Sequence, residues 1–161
     1  MALAFVQSNT ATAETTSTTI AVALTGVGAG NLIVAWVKFE GAATTLTGSD
    51  GTSSLTGGTM VDHANGNLHG RFLYLLSANS GNKTYTFTFG ATRPYRRVVI
   101  FEFSYTGTLS LDAQNTGSGT SETPGPSGNI STTGTDEVAL GSYGEYAGKD
   151  STSELINAVA A

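Results

Sequence analysis

Residues 83–106, KTYTFTFGATRPYRRVVIFEFSYT, decide the fold class. In the first half Tyr85, Phe87 and Phe89 alternate with Thr84, Thr86 and Thr88, the period of two of a strand with one face in a core and the other in water. In the second half, RRVVIFEF at 96–103 is apolar on both faces for most of its length, as is NLIVAWVKF at 31–39. Such runs suit central strands packed on both sides.

Working outward, strands are expected at 3–7, 18–25, 31–40, 44–47, 68–78, 83–89, 96–106, 109–113, 129–132, 137–143 and 153–159. Clusters of Gly, Asn, Asp, Ser and Pro punctuate them: GVGAGN, GSDGTSS, HANGN, ANSGNK and TGSGTSETPGPSGN. No sustained helical period appears, because Gly or Thr interrupts almost every window of sufficient length. Many short strands with such turns predict an all-β, two-sheet antiparallel sandwich. Residues 115–128, rich in Gly and Pro, are expected to form a long surface loop crossing between the sheets.

At 161 residues the chain suits a single domain, 1–161, with a core that needs no disulfide or metal staple. Only 12% of residues are charged and 21 are Gly, so hydroxyls and backbone supply much of the solvated surface. A net charge of −5 argues against nucleic acid as a partner, since phosphate recognition needs a basic face. The absence of Cys excludes disulfides and thiol catalysis. The start MALAFVQSNT lacks the pattern of a signal peptide, and no apolar run is long enough to span a membrane as a helix. The apolar alternation near 153–159 is expected to act as a sheet edge, completed by homo-oligomer contacts or by a strand-donating partner.

Read together, GNLIVAWVKFEG (30–41), SDGTSS (49–54), GNKTYTFTFG (81–90), IFEFSYTG (100–107), LDAQNTGSGT (111–120) and GNISTTGTDEVALGSY (128–143) resemble the jelly-roll-like β-sandwich domains of phage structural proteins and secreted bacterial carbohydrate-associated proteins. The resemblance covers about residues 1–145 and rests on structural punctuation rather than catalytic signatures. It implies jelly-roll or Greek-key connectivity, with one or two closing strands beyond the end of this chain. It also implies a virion, extracellular or cell-surface setting.

Several residues are candidates for chemistry. Glu102 lies on an apolar strand face with Val98 and Ile100, and Glu40 ends another strand. Two carboxylates on neighbouring strands are what a glycoside hydrolase uses, although a structural Glu102 satisfied by Arg97, Lys38 or a backbone N–H is the preferred reading. His63, His69 and Asp62 surround a turn in a spacing that matches no familiar metal motif. Asp50, Asp62 and Asp112 are candidates for a structural calcium. No nucleophile elbow is present. Arg93, Tyr95 and Arg96 form a cationic, aromatic cluster suited to an anionic sugar or a carboxylate. Tyr143 and Tyr146 are candidates for stacking on a sugar ring, whereas Trp36 fits the core better. The sequence therefore predicts a non-catalytic structural or adhesion module that binds glycan and needs no cofactor. An isolated carbohydrate-binding module and a glycoside hydrolase using Glu102 and Glu40 are the alternatives.

Overall fold

The computed structural model describes residues 3–62, 66–118, 129–131, 133, 138–142 and 158–160. These contain no helix. Strands β1 (Leu3–Ala13), β2 (Ser17–Val27), β3 (Leu32–Glu40), β4 (Leu46–Ser49), β5 (Ser54–Asp62), β6 (Leu68–Leu75), β7 (Gly81–Arg93) and β8 (Arg96–Tyr105) form one antiparallel sheet in the order β1-β8-β3-β6-β5-β4-β7-β2. Two further short strands, β9 (Val138–Leu140) and β10 (Ala158–Ala160), pair with each other.

The pairing is nested. β1 pairs with β8, β2 with β7, β3 with β6 and β4 with β5. The chain is thus one long antiparallel ribbon whose tip is the turn at 50–53, closed by Asp50 N donating to Ser53 O. Opposite residues keep a nearly constant relation along it, as in Leu3 with Tyr105, Ile33 with Leu75 and Glu40 with Leu68. The ladder continues through the corners: Gly30 N donates to Ala78 O, Ala78 N to Asn31 O and Gly41 N to Asn67 O. Rolling this ribbon brings β3 against β8 and β4 against β7, so the sheet nearly closes into a barrel.

The barrel interior holds Ile20, Val22 and Leu24 of β2, Ile33 to Phe39 at alternate positions of β3, and Tyr85, Phe87 and Phe89 of β7. The threonines between those aromatics lie on the outer face, with Thr84 and Thr88 exposed, as the alternation requires. β3 is buried from Leu32 to Phe39 because both its faces are covered. Its outward residues Leu32 and Val34 join Phe103 in a second apolar cluster on the outside of the barrel, packed by Phe72, Tyr74, Phe101, Leu109 and Leu140.

The strands differ from expectation in several places. β5 runs through 54–62, where none was expected. Residues 109–113 and 129–131 are not in strands and β1 extends to Ala13; of the strand expected at 153–159 only 158–159 are among the described residues, in Ala158–Ala160, which pairs with β9. Of the expected loop at 115–128, only 115–118 are among the described residues.

Candidate functional site

The two-residue connection between β7 and β8 carries Tyr95, an exposed aromatic ring that the sequence analysis selected. Pro94 fixes one backbone angle, and Tyr95 follows with φ at 45°, the single non-glycine residue with positive φ among the described residues. That conformation costs an L-residue roughly 1–2 kcal/mol. Tyr95 nevertheless spends it on display, with its side chain 55% exposed. Two residues before it, Arg93 lies along Gly41, whose φ of 104° suits glycine at that turn. Arg93 donates through Nη1 to Thr92 O at 2.7 Å and through Nη2 to Ala43 O at 3.4 Å.

The β3–β4 corner is supported from the other side by His69. Its Nδ1 lies 2.6 Å from Asp62 Oδ1 and its Nε2 lies 2.9 Å from the carbonyl oxygen of Gly41. Both ring nitrogens are thus engaged, and the buried ring stacks on Phe39 with centroids 5.0 Å apart. This His–Asp pair resembles part of a catalytic triad, but a backbone carbonyl occupies the place a nucleophile would need. It is a brace for the corner that Arg93 and Pro94 lie against.

Arg96 belongs to a different environment from Arg93 and Tyr95. It is buried, and its guanidinium donates to Thr15 O and Thr19 O, pinning the β1–β2 connection. Burial away from water lowers its pKa. Of the expected surface cluster, Tyr95 and Arg93 are left at the β7–β8 connection, the first exposed and the second held along the chain at Ala43. Glu40 lies at the same end of β3 as Gly41, and burial raises its carboxyl above the usual range while Lys38 opposes the shift.

Glu102 sits towards the other end of the barrel and is fully buried. Its Oε1 accepts from Gly28 N at 2.8 Å and Asn31 Nδ2 at 2.6 Å, and its Oε2 accepts from Gln7 Nε2 at 2.5 Å. The carboxylate is satisfied by one backbone amide and two side-chain amides rather than by Arg97 or Lys38. Glu102 faces Ile33 across the β3–β8 ladder, seven residues from Glu40, or about 23 Å along the strand. A glycosidase pair stands about 5 to 9.5 Å apart, so these two carboxylates do not form one.

Near this polar end Asp50 Oδ1 accepts from Thr52 N and Ser53 N, and Asp50 Oδ2 lies 3.5 Å from Lys83 Nζ. The Tyr85 hydroxyl is buried without a hydrogen-bond partner. Burial, with Asp50 and Glu102 adding to it, raises the Tyr85 pKa far above the usual phenol value.

The remaining candidates are dispersed. Asp50 and Asp62 flank opposite ends of β5, while Asp112 accepts from Thr133 N at 2.8 Å and Thr133 Oγ1 at 2.6 Å. Among the described residues no three His, Cys, Asp or Glu side chains are grouped as a metal site would need. Trp36 is buried, as expected, but on the outer face of β3, tilted against Phe72 at 4.8 Å. His63, Tyr143 and Tyr146 lie outside the described residues.

Sequence reasoning missed Gln7, Asn31 and Tyr85. Their signal was a polar atom carried into an apolar layer, which becomes informative once the strand pairing is known. The chain matches no protein-family model, no curated protein and no solved structure. Among the described residues no helix is long and apolar enough to cross a membrane.

Proposed function

We propose that this chain is a non-catalytic jelly-roll β-sandwich module with a structural and adhesive role on a virion or cell surface, holding glycan at the Tyr95 corner. The observation that carries the fold half is the nested pairing of β1 with β8, β2 with β7, β3 with β6 and β4 with β5. A long antiparallel ribbon rolled on itself in this way is consistent with jelly-roll connectivity. Jelly rolls of this kind serve as capsid and lectin domains. Fold alone does not assign function, so the binding half rests on the corner itself.

There, an aromatic ring is exposed at a backbone conformation that is costly for tyrosine, and the two residues before it, Arg93 and Pro94, lie against the braced Gly41 turn. A tyrosine face suits the axial C–H groups of a pyranose, and strained exposed residues gather at ligand contacts. The non-catalytic half is supported by Glu102, whose lone pairs are committed to three donors. The test is to present neutral and acidic glycans to the purified chain and assay the same mixtures for released sugar. Retention of a glycan without sugar release is expected. Hydrolysis, or no retention across the whole panel, would defeat the reading.

A further inference from the structure

The β1–β8 register shifts between Phe5 and Gln7, with Val6 as the extra residue. Before the shift, Leu3 and Phe5 stand opposite Tyr105 and Phe103, which belong to the outer apolar cluster. After it, Gln7 stands opposite Glu102, and Asn9 and Ala11 stand opposite Ile100 and Val98, which line the barrel interior. Without the extra residue Val6 would meet Glu102 and Gln7 would fall on the outer face, because a slip of one position exchanges the two faces of a strand. Bulges re-aim side chains in this way, and this one delivers a carboxamide to a buried carboxylate.

Both hydrogens of that carboxamide are used. Gln7 Nε2 donates to Glu102 Oε2 at 2.5 Å and to Thr25 O, across the seam on β2, at 2.9 Å. Glu102 Oε1 accepts from Gly28 N at 2.8 Å and Asn31 Nδ2 at 2.6 Å. All three partners are donors, which suits an ionised carboxylate and offers no acceptor to a carboxylic acid proton. The Gly28 amide is fixed in the backbone and keeps Oε1 an acceptor, so a proton on Glu102 belongs on Oε2, facing Gln7. The Gln7 carboxamide must then turn its oxygen towards Glu102, and the same rotation takes its donor away from Thr25 O.

Among the described residues the ionisable groups that share this end of the barrel are Tyr85, Asp50 and Lys83. Asp50 and Glu102 both act on the buried Tyr85 hydroxyl, and Lys83 Nζ lies 3.5 Å from Asp50 Oδ2. Ile33 faces Glu102 from β3, and neither β1 nor the connection at 28–31 carries an ionisable side chain.

We propose that Glu102 and Gln7 form a charge-operated latch on the barrel seam: while Glu102 is ionised Gln7 holds β1 to β2, and loss of that charge on acidification frees Thr25 O and opens the end of the seam. Asn9 donates to Ala23 O at 2.8 Å without passing through Glu102, so the opening stops there. Uncovered strand edges are where other chains pair, and the latch makes that exposure depend on pH. The device is independent of glycan binding at Tyr95.

Because the chain has no native cysteine, nitroxide labels in a Ser8→Cys/Thr25→Cys background, both exposed positions, report the width of the seam by double electron–electron resonance, with circular dichroism establishing that each chain is folded. A short distance is expected at pH 7. Acidification to about pH 3 is expected to add a longer distance, the open-to-closed ratio rising about fivefold for the one hydrogen bond lost. Glu102→Gln mimics the uncharged side chain at pH 7: Gly28 N again requires an oxygen at the Oε1 position, so the new amide faces Gln7 and the longer distance is expected without acid. Gln7→Leu is expected to show it at both pH values with no response to acid. A folded Glu102→Gln chain with the wild-type distance at pH 7, a Gln7→Leu chain that stays closed, or a folded wild type that stays closed at pH 3 would overturn the latch. An acid response that Gln7→Leu retains would do the same, assigning the opening to Asp50.

Discussion

Asn9 of β1 donates through Nδ2 to the carbonyl oxygen of Ala23 on β2 at 2.8 Å, and Gln7 does the same to Thr25 at 2.9 Å. β1 and β2 are the two outermost strands of the eight-stranded order, so these side-chain amides bridge the seam where a backbone ladder would otherwise close the barrel. Edge strands left with free carbonyls invite pairing with other chains. Two amides one turn of the pleat apart cover that edge.

Removing one amide should loosen the seam without unfolding the barrel. Asn9→Ala is expected to lower unfolding free energy by about 1 kcal/mol, the usual worth of one hydrogen bond near the surface. It should also speed hydrogen exchange in β2 more than in β3. Urea unfolding and amide exchange measure these two effects.

Tyr85 offers a substitution that should help. Its ring is fully buried in the core, but its hydroxyl has no hydrogen-bond partner, and an orphaned buried polar group costs about 1–3 kcal/mol. Tyr85→Phe is therefore expected to stabilise the protein at neutral pH. The raised phenol pKa adds an alkaline effect. A group whose folded value lies above its unfolded value of about 10 contributes stability that is complete below that pH and lost as pH rises through the folded value. Melting curves from pH 8 to 11 should fall more steeply for the wild type than for Tyr85→Phe.

Asp50 gives the opposite dependence. Burial alone pushes its carboxyl up, but the amides of Ser53 and Thr52, together with Lys83, outweigh that and hold it below the ordinary value. Its stabilisation is therefore present above about pH 4 and lost as pH falls through the lower folded value. Wild type should lose stability faster than Asp50→Asn between pH 4 and 2. Parallel acid-unfolding curves would contradict the assignment.

Gly70 is needed for close approach. The Trp36 ring lies over it, and a Cβ at position 70 would run into Trp36 Cζ2 and Cη2. Gly70→Ala should cost about 1–3 kcal/mol through overpacking. It should also shift the tryptophan emission, because Trp36 is the sole tryptophan in the chain. An unchanged spectrum with unchanged stability would mean that the ring does not rest there.

The parts of this fold that could be read from sequence are those where one strand's own alternation carries the information. Tyr85, Phe87 and Phe89 point inward as their spacing requires, and β3 is buried on both faces as its unbroken apolar run implies. β5 was hidden because its pattern is broken by a register shift between Gly57 and Met60. Gly57 lacks a side chain because the Arg71 guanidinium crosses over it, donating to Gly58 O at 2.6 Å and Leu46 O at 3.0 Å. The role of Arg96 was equally hidden. Its acceptors are carbonyls far away in sequence on the β1–β2 connection and on β2, and carbonyls leave no trace in residue identity. Glu102 could be recognised as a buried carboxylate, but its donors on Gln7, Gly28 and Asn31 follow only from the rolled ribbon.

The most direct test of the functional account is glycan-array binding by three chains compared side by side, wild type, Tyr95→Ala and Glu102→Gln, each checked for folding by its melting temperature. Glu102→Gln places an amide donor among three donors and is expected to lower stability by about 1–3 kcal/mol while keeping the wild-type binding pattern. Tyr95→Ala is expected to lose glycan binding with its melting temperature unchanged, because alanine meets the same backbone penalty at φ 45° as tyrosine. Full binding by Tyr95→Ala, or loss of binding by a folded Glu102→Gln, would contradict the account.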